Sequence, residues 1–325
     1  MTSPTLGMQP TREELVEEAL FRGGTLTLEN ARYREAVRTL SEALLLDDIG
    51  RGDLTTKSLE IRERDVSAAV ISRAGGIVAG LEELAFLFQE RDIEVAFEKR
   101  DGDAIRPDEI LLRLIGSETK LLELERVGLN LVQRMSGIAT AAHCLNERAR
   151  RSGTARVVGT RKTPWGLLDK RALHVGGAGT HRLGLGDAIL IKNNHLALLA
   201  RTEEEAVSMA IERAWKSRAE ATFIEVEVRS AGAARVAAQA FRNFQNRDAR
   251  QYPCLLMLDN MTPEQIGEII KMLQRENSWD CILIEASGGI SEANIEAYAA
   301  TGVDAISIGA LTHSARALDI CLRIS

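Results

Sequence analysis

The chain has 325 residues, 41 basic against 47 acidic side chains and a formal net charge of −6. That length predicts two domains, or one large barrel with an appendage, and the mild acidity implies no broad basic face for nucleic acid. Cys144, Cys254, Cys281 and Cys321 stand far apart with no C-x-x-C pair, as thiols of a reducing cytoplasm do, and neither a leader at Met1-Thr-Ser-Pro nor an apolar run of membrane-spanning length is read, so a cytoplasmic protein with no membrane partner is expected.

In chain order, Arg12 to Phe21 and Leu28 to Leu46 carry apolar residues at helical spacing and predict two N-terminal helices. Asp47-Asp-Ile-Gly-Arg-Gly-Asp-Leu-Thr-Thr56 reads as a glycine-interrupted acidic loop rather than a helix. Short β runs follow at Val66 to Ser72, Ile93 to Lys99 and Glu109 to Leu114, with a helix at Leu81 to Gln89 and a turn at Asp101-Gly102, an α+β layer. A long helix is predicted from about Ser117 to Ala149, stopped near Ser152-Gly153. Within it Arg126 alone reads as a surface or interface residue.

After Gly153 strand and helix alternate. Strand-like runs end at Thr160, Lys192, Val228, Asp259, Ser287 and Ala310, and the clearest helices are Thr202 to Ser217, Ala231 to Phe241, Pro263 to Arg275 and Ser291 to Thr301. Such alternation requires a parallel sheet, closed or doubly wound. Polar residues at the end of every strand favour a barrel, whose site lies at its mouth.

Those strand ends divide into three parts. Arg161, Lys162 and Lys192, with His181 and Arg182 on the connection between, suit a ligand with several carboxylates or phosphates. Glu227 and Asp259 suit sugar hydroxyls or water on a magnesium ion; Glu225 shares the face of Glu227 but is read as paired with a basic neighbour deeper in the barrel. Gly288, Gly289, Gly309 and Ala310, small residues ahead of helices, could let backbone N–H groups and the helix dipole cradle a phosphate. A phosphorylated sugar reacting with an anionic partner fits all three.

Several motifs carry a resemblance: Gly159-Thr-Arg-Lys-Thr163, Gly176-Gly-Ala-Gly-Thr-His-Arg182, Leu190-Ile-Lys-Asn-Asn-His195, Ile224-Glu-Val-Glu-Val228, Met257-Leu-Asp-Asn260, Glu285-Ala-Ser-Gly-Gly289 and Gly309-Ala-Leu-Thr-His-Ser314. With Asp48 to Thr56 and Glu125-Arg126 through Thr140 upstream, the chain resembles the quinolinate phosphoribosyltransferase family over about residues 40 to 323. The resemblance implies an α/β protein, an N-terminal α+β open-faced sandwich followed by an incomplete α/β barrel, working as a homodimer. The expected division is a helical extension at 1–40, the sandwich with its long helix at 41–150, the catalytic barrel at 151–312 and a segment at 313–325 returning to the sandwich.

It further implies transfer from phosphoribosyl pyrophosphate to quinolinate with decarboxylation, with magnesium and no organic cofactor. By the family pattern Arg161, His181, Arg182 and Lys192 would hold the carboxylates of quinolinate, joined by Arg126 from the neighbouring subunit. Lys162 would lie between the base and the pyrophosphate, Glu227 and Asp259 would contact ribose and magnesium, and Ser287, Gly288, Gly289, Gly309 and His313 would hold the 5′-phosphate region. Departures are a loop at Thr163-Pro-Trp-Gly166 about two residues short, which lacks an arginine and gains Trp165, then Asn193 for an aspartate and Ala178 within a triple glycine. Phe241 to Tyr252 reads as an insertion. The alternatives are a same-fold relative with another acceptor, nicotinate-like or molybdenum-associated, a barrel lyase with Lys192 as Schiff-base nucleophile, and a silent binding protein.

Overall fold

The structure, a computed structural model, describes residues 9–61, 63–247 and 251–325. The opening tetrapeptide, where a leader was sought, and residues 248–250 of the expected insertion lie outside them. The chain forms two compact units, each interleaved in sequence. One comprises residues up to Arg22, Leu145–Arg161 and Gly179–Ile308; the other comprises Gly23–Cys144, Lys162–Ala178 and Gly309–Ser325. Lys162–Ala178 and Gly309–Ser325 thus group with the sandwich rather than with the barrel strands they follow.

In the sandwich unit the strands are β1 (Asp65–Ser72), β2 (Gly76–Ile77), β3 (Glu94–Phe97), β4 (Ala104–Ile105) and β5 (Ile110–Ser117). Ala68, Val70 and Ser72 are buried on alternate positions of β1, the period-two pattern of a strand covered on one face. Among the described residues β1 pairs antiparallel with β5 and with the C-terminal strand Ile320–Ile324, and β3 adds to β5. The helix Leu81–Gln89 buries Leu84, Leu87 and Phe88, and the long helix runs Glu118–Ser152.

The acidic stretch read as a loop is largely helical. The helix Ala31–Ile49 runs through Asp47 and Asp48, Gly50 and Gly52 break it with φ of 50° and 105°, and a second helix begins at Leu54. The Asp53 carboxylate caps that helix, accepting the N–H groups of Thr55 and Thr56 at 2.8 and 3.1 Å.

The other unit holds β6 (Arg156–Val158), β7 (Ile189–Ile191), β8 (Ile224–Val228), β9 (Cys254–Asp259), β10 (Leu283–Ser287) and β11 (Ala305–Ser307). They pair in parallel in the order β6-β11-β10-β9-β8-β7. Helices Glu203–Lys216, Ala231–Gln245 and Pro263–Arg275 connect successive strands, as parallel crossovers require. Between β6 and β7 the ladder is open. Gly179 takes the place beside β6, donating to Val157 O at 2.8 Å and accepting from Gly159 N at 2.9 Å. The result is the incomplete barrel that the sequence led us to expect.

The first helix, Arg12–Leu20, has a defined place in this unit. Thr11 and Glu14 form a capping box at its start. Its Leu15, Val16, Ala19 and Leu20 pack with Ala188, Phe223, Leu255, Leu283 and Ala305, residues at or near the amino ends of the barrel strands. Arg12 binds both Asp304 oxygens, at 2.5 and 2.6 Å, and its guanidinium lies 3.8 Å from the Trp279 ring centroid. The helix therefore closes the floor of the barrel, opposite the strand ends that carry the expected site.

Candidate functional site

Glu227 ends up where its strand position predicts, on β8 near the carboxyl end and 7% exposed. Its carboxylate accepts a short hydrogen bond from the Asn193 amide and lies 3.5 Å from Lys192 Nζ. Lys192 and Asn193 stand just after β7, next to β8 in the sheet, so strand pairing brings this trio together. An amide at 193 can donate to Glu227, where an aspartate would repel it. Asp259, the last residue of β9, lies 3.2 Å from Arg229 Nε at the end of β8.

The loop expected to hold a phosphate is built from backbone. Gly288 has φ of 92° and sits against Asn260: a Cβ there would come within 2.4 Å of Asn260 Oδ1 and 2.9 Å of its backbone nitrogen. Asn260, itself at φ of 55°, donates to Ser287 O at 2.8 Å, and Ser287 Oγ meets Ser307 Oγ at 2.9 Å. The expected aid of a helix dipole is weaker than the sequence suggested. The next helix begins only at Ile295 and spans five residues, and the one after Gly309 spans four. Backbone N–H groups of the left-handed Gly288-Gly289 turn are what remain to meet an anion.

His181, expected to hold a carboxylate of the ligand, lies among buried acidic side chains. It is 4% exposed, with φ of 55°. Its Nε2 lies 3.0 Å from Glu225 and 3.2 Å from Glu285, both fully buried, and its Nδ1 accepts the backbone N–H of Arg182 at 2.8 Å. Burial works against charging the ring, but Glu285 and Glu225 outweigh it and raise its pKa to about 9. Burial, reinforced by Glu285, likewise lifts Glu225 to about 7. An imidazolium would set a second N–H against that of Arg182, so the extra proton belongs to the cluster rather than to the ring alone. The reading of Glu225 as paired with a deeper basic neighbour holds, with His181 as that neighbour. Glu285 was missed, because its motif reads first as a phosphate loop.

Arg182 is 7% exposed, donates to Ala188 O at 3.4 Å and has a buried Nε without a hydrogen-bond partner. Its pKa is pulled down by burial and by Arg161, which is itself exposed. A desolvated guanidinium with donors to spare is suited to a carboxylate.

The sandwich unit carries the remaining expected residues. Arg126 is exposed on the long helix. A Cβ on Gly309 would come within 3.2 Å of both the Lys162 side chain and the His313 ring, so the glycine permits their approach. His313 Nδ1 meets Ser314 Oγ at 2.7 Å, and Thr312 Oγ donates to Lys162 O at 2.8 Å. The changed loop is fixed by residues that sequence reasoning passed over. Asp169, fully buried, binds the Arg134 guanidinium through both oxygens and accepts the Thr163 hydroxyl, while Arg134 lies 5.1 Å from the Trp165 ring centroid. The available signal was an acidic residue among the apolar positions of the helix Leu167–Val175.

Comparison with known proteins agrees with this layout. Residues 53–136 match the family profile described as quinolinate phosphoribosyl transferase, N-terminal domain, and residues 138–323 match its C-terminal domain. A probable nicotinate-nucleotide pyrophosphorylase [carboxylating] of Archaeoglobus fulgidus is 37% identical over 276 residues, 84% of this chain and 98% of the relative. The human nicotinate-nucleotide pyrophosphorylase [carboxylating] is 35% identical over 261 residues, 79% and 82% of the two chains. The solved structure of nicotinate-nucleotide pyrophosphorylase from Francisella tularensis superposes with a TM-score of 0.75 at 28% identity, over 90% of this chain and 96% of that one.

Proposed function

This chain belongs to the quinolinate phosphoribosyltransferase family, and we propose that it transfers the phosphoribosyl group of phosphoribosyl pyrophosphate to quinolinate, giving nicotinate mononucleotide, pyrophosphate and carbon dioxide. The observation that carries the reading at the level of residues is the pairing of Lys192 with Glu227, 3.5 Å apart. It sets a cation for the acid substrate beside a carboxylate for the sugar.

In this reading Arg161, Arg182 and Lys192, with His181 beside them, bind the carboxylates of quinolinate, and Arg126 is supplied by the second subunit of a homodimer. Lys162 binds pyrophosphate, and Ser287, Gly288, Gly289, Gly309 and His313 hold the 5′-phosphate. As the bond from C1 of the ribose to pyrophosphate lengthens, positive charge develops on the ring, and Glu227 and Asp259 stabilise it. The pyridine nitrogen takes the place of the leaving group. Carbon dioxide then departs from C2 of the cationic ring, leaving its electron pair at that carbon, which takes a proton.

No general base is needed, so positioning and electrostatics supply the rate. Magnesium would neutralise charge on the pyrophosphate. Glu227 and Asp259 offer the oxygen donors it prefers and would hold it through water. Among the described residues no helix is long and apolar enough to cross a membrane; a cytoplasmic setting is part of this reading, in keeping with four cysteines that form no disulfide.

The test is turnover with phosphoribosyl pyrophosphate and magnesium, offering quinolinate and nicotinate separately. The expected result is mononucleotide and carbon dioxide in equal amounts from quinolinate. Turnover of nicotinate alone would shift the assignment to another acceptor.

A further inference from the structure

Glu225 and Glu285 have no part in the steps above, yet burying them against His181 is costly. Two carboxylates with no exposure face a single imidazole, and none of their four oxygens has a well-aligned hydrogen bond. The three residues come from three places: the segment filling the open ladder beside β6, the lower half of β8, and β10. Their ligand atoms lie within 4.8 Å of one another, which invites a metal ion. The ring's other contact speaks against one. Because Nδ1 accepts the Arg182 N–H at 2.8 Å, the neutral ring carries its proton on Nε2, and the lone pair a metal would take is not there.

What remains is a clamp. From inside the barrel Glu225 and Glu285 fix the ring at Nε2. From the floor, the carbonyl of Leu20, last residue of the first helix, accepts the His181 N–H at 3.0 Å, and Thr180 Oγ accepts the N–H of Arg22 at 3.2 Å. The clamped residue holds a φ of 55°, a conformation uncommon outside glycine, whose strain its surroundings must offset. Its Nδ1 then holds the backbone of the next residue, Arg182.

We propose that Glu225 and Glu285, acting through His181, are positioning residues for the acid substrate: they seat the imidazole that fixes the Arg182 backbone, and so aim the Arg182 guanidinium at a carboxylate. The inference rests on the proposed role of Arg182.

The experiment compares wild type with Glu285→Leu and Glu285→Gln, measuring quinolinate binding by calorimetry and steady-state KM for both substrates. Glu285→Leu should weaken quinolinate binding and raise its KM about tenfold, the scale of a lost hydrogen bond to a charged group, with KM for phosphoribosyl pyrophosphate unchanged. Glu285→Gln, which keeps an acceptor, should return to within about threefold. If Glu285→Leu fails to fold, Thr180→Val loosens the same seat and should raise the quinolinate KM alone. Unchanged quinolinate binding in a folded variant would overturn the inference while leaving the reaction in place. So would equal weakening of both substrates, or one equivalent of metal in the wild type that Glu285→Leu loses. Wild-type protein that binds no quinolinate would overturn the inference and the parent reading together.

Discussion

Asp169 grips Arg134 with both carboxylate oxygens, each 2.8 Å from a guanidinium nitrogen, and does so without any exposure to solvent. Removing one partner of a buried pair strands the other, which costs more than the pair itself contributes. Asp169→Asn should therefore destabilise by about 3 kcal/mol, read as a fall in thermal midpoint. Because Asp169 also holds Thr163, the quinolinate KM should rise with it. A midpoint and KM unchanged from wild type would show the pair to be idle.

Gly288→Ala tests the backbone cradle. The new Cβ meets Asn260 Oδ1 at 2.4 Å, and φ of 92° disfavours any L side chain. The expected outcome is a rise of about tenfold in KM for phosphoribosyl pyrophosphate, with a stability loss of about 1–3 kcal/mol from strain. Unaltered KM in a folded variant would remove this loop from the phosphate site.

Arg12→Ala leaves the buried Asp304 carboxylate without its guanidinium, while the N–H of Ile284 still donates to it at 2.6 Å. The thermal midpoint should drop by an amount corresponding to about 3 kcal/mol. Asp304→Asn in the same background should restore part of it, since a neutral amide needs no counter-charge. Additive losses in the double mutant would contradict this.

Stability should fall as pH rises between about pH 5 and pH 9. Burial, then the neighbouring Glu83, lifts Asp101 from 3.8 to about 7, and Glu285 and Glu225, outweighing burial, let the His181 cluster keep its extra proton to about 9 rather than 6.5. Both groups bind protons more tightly folded than unfolded, so their stabilisation is complete below the unfolded values and is lost as pH passes the folded ones. A thermal midpoint that climbs across this window would reverse the sign and refute the assignment.

Local signals in the sequence were read to the residue where they were strong. Thr262-Pro263 and Gly80 start helices whose apolar spacing is regular, and Pro263–Arg275 and Leu81–Gln89 come out as expected. Strands end at Val228, Asp259 and Ser287 as expected, whereas the run expected to Thr160 stops at Val158 and the one to Ala310 at Ser307. Strand alternation puts Glu227 on the inner face, the strand end singles out Asp259, and clustering singles out Arg161, Arg182 and Lys192 as candidates. What sequence could not carry was the partnering of residues distant along the chain. Nothing near Glu285 announces His181, and nothing near Arg12 announces Asp304.

The floor helix has a consequence for how the chain is made. Its first arginine pairs with a residue 292 positions later, and its apolar face rests on Leu283 and Ala305. A ribosome delivers this helix before any barrel strand, and its seat is complete only once β11 has been added. Until then a short amphipathic segment must wait, too brief to persist as a helix in water by itself, with the closing of such a distant loop still to be met. The helix is made before the strands it seals and is seated after them, and the turn at His181 acquires its support from beneath only at that final step.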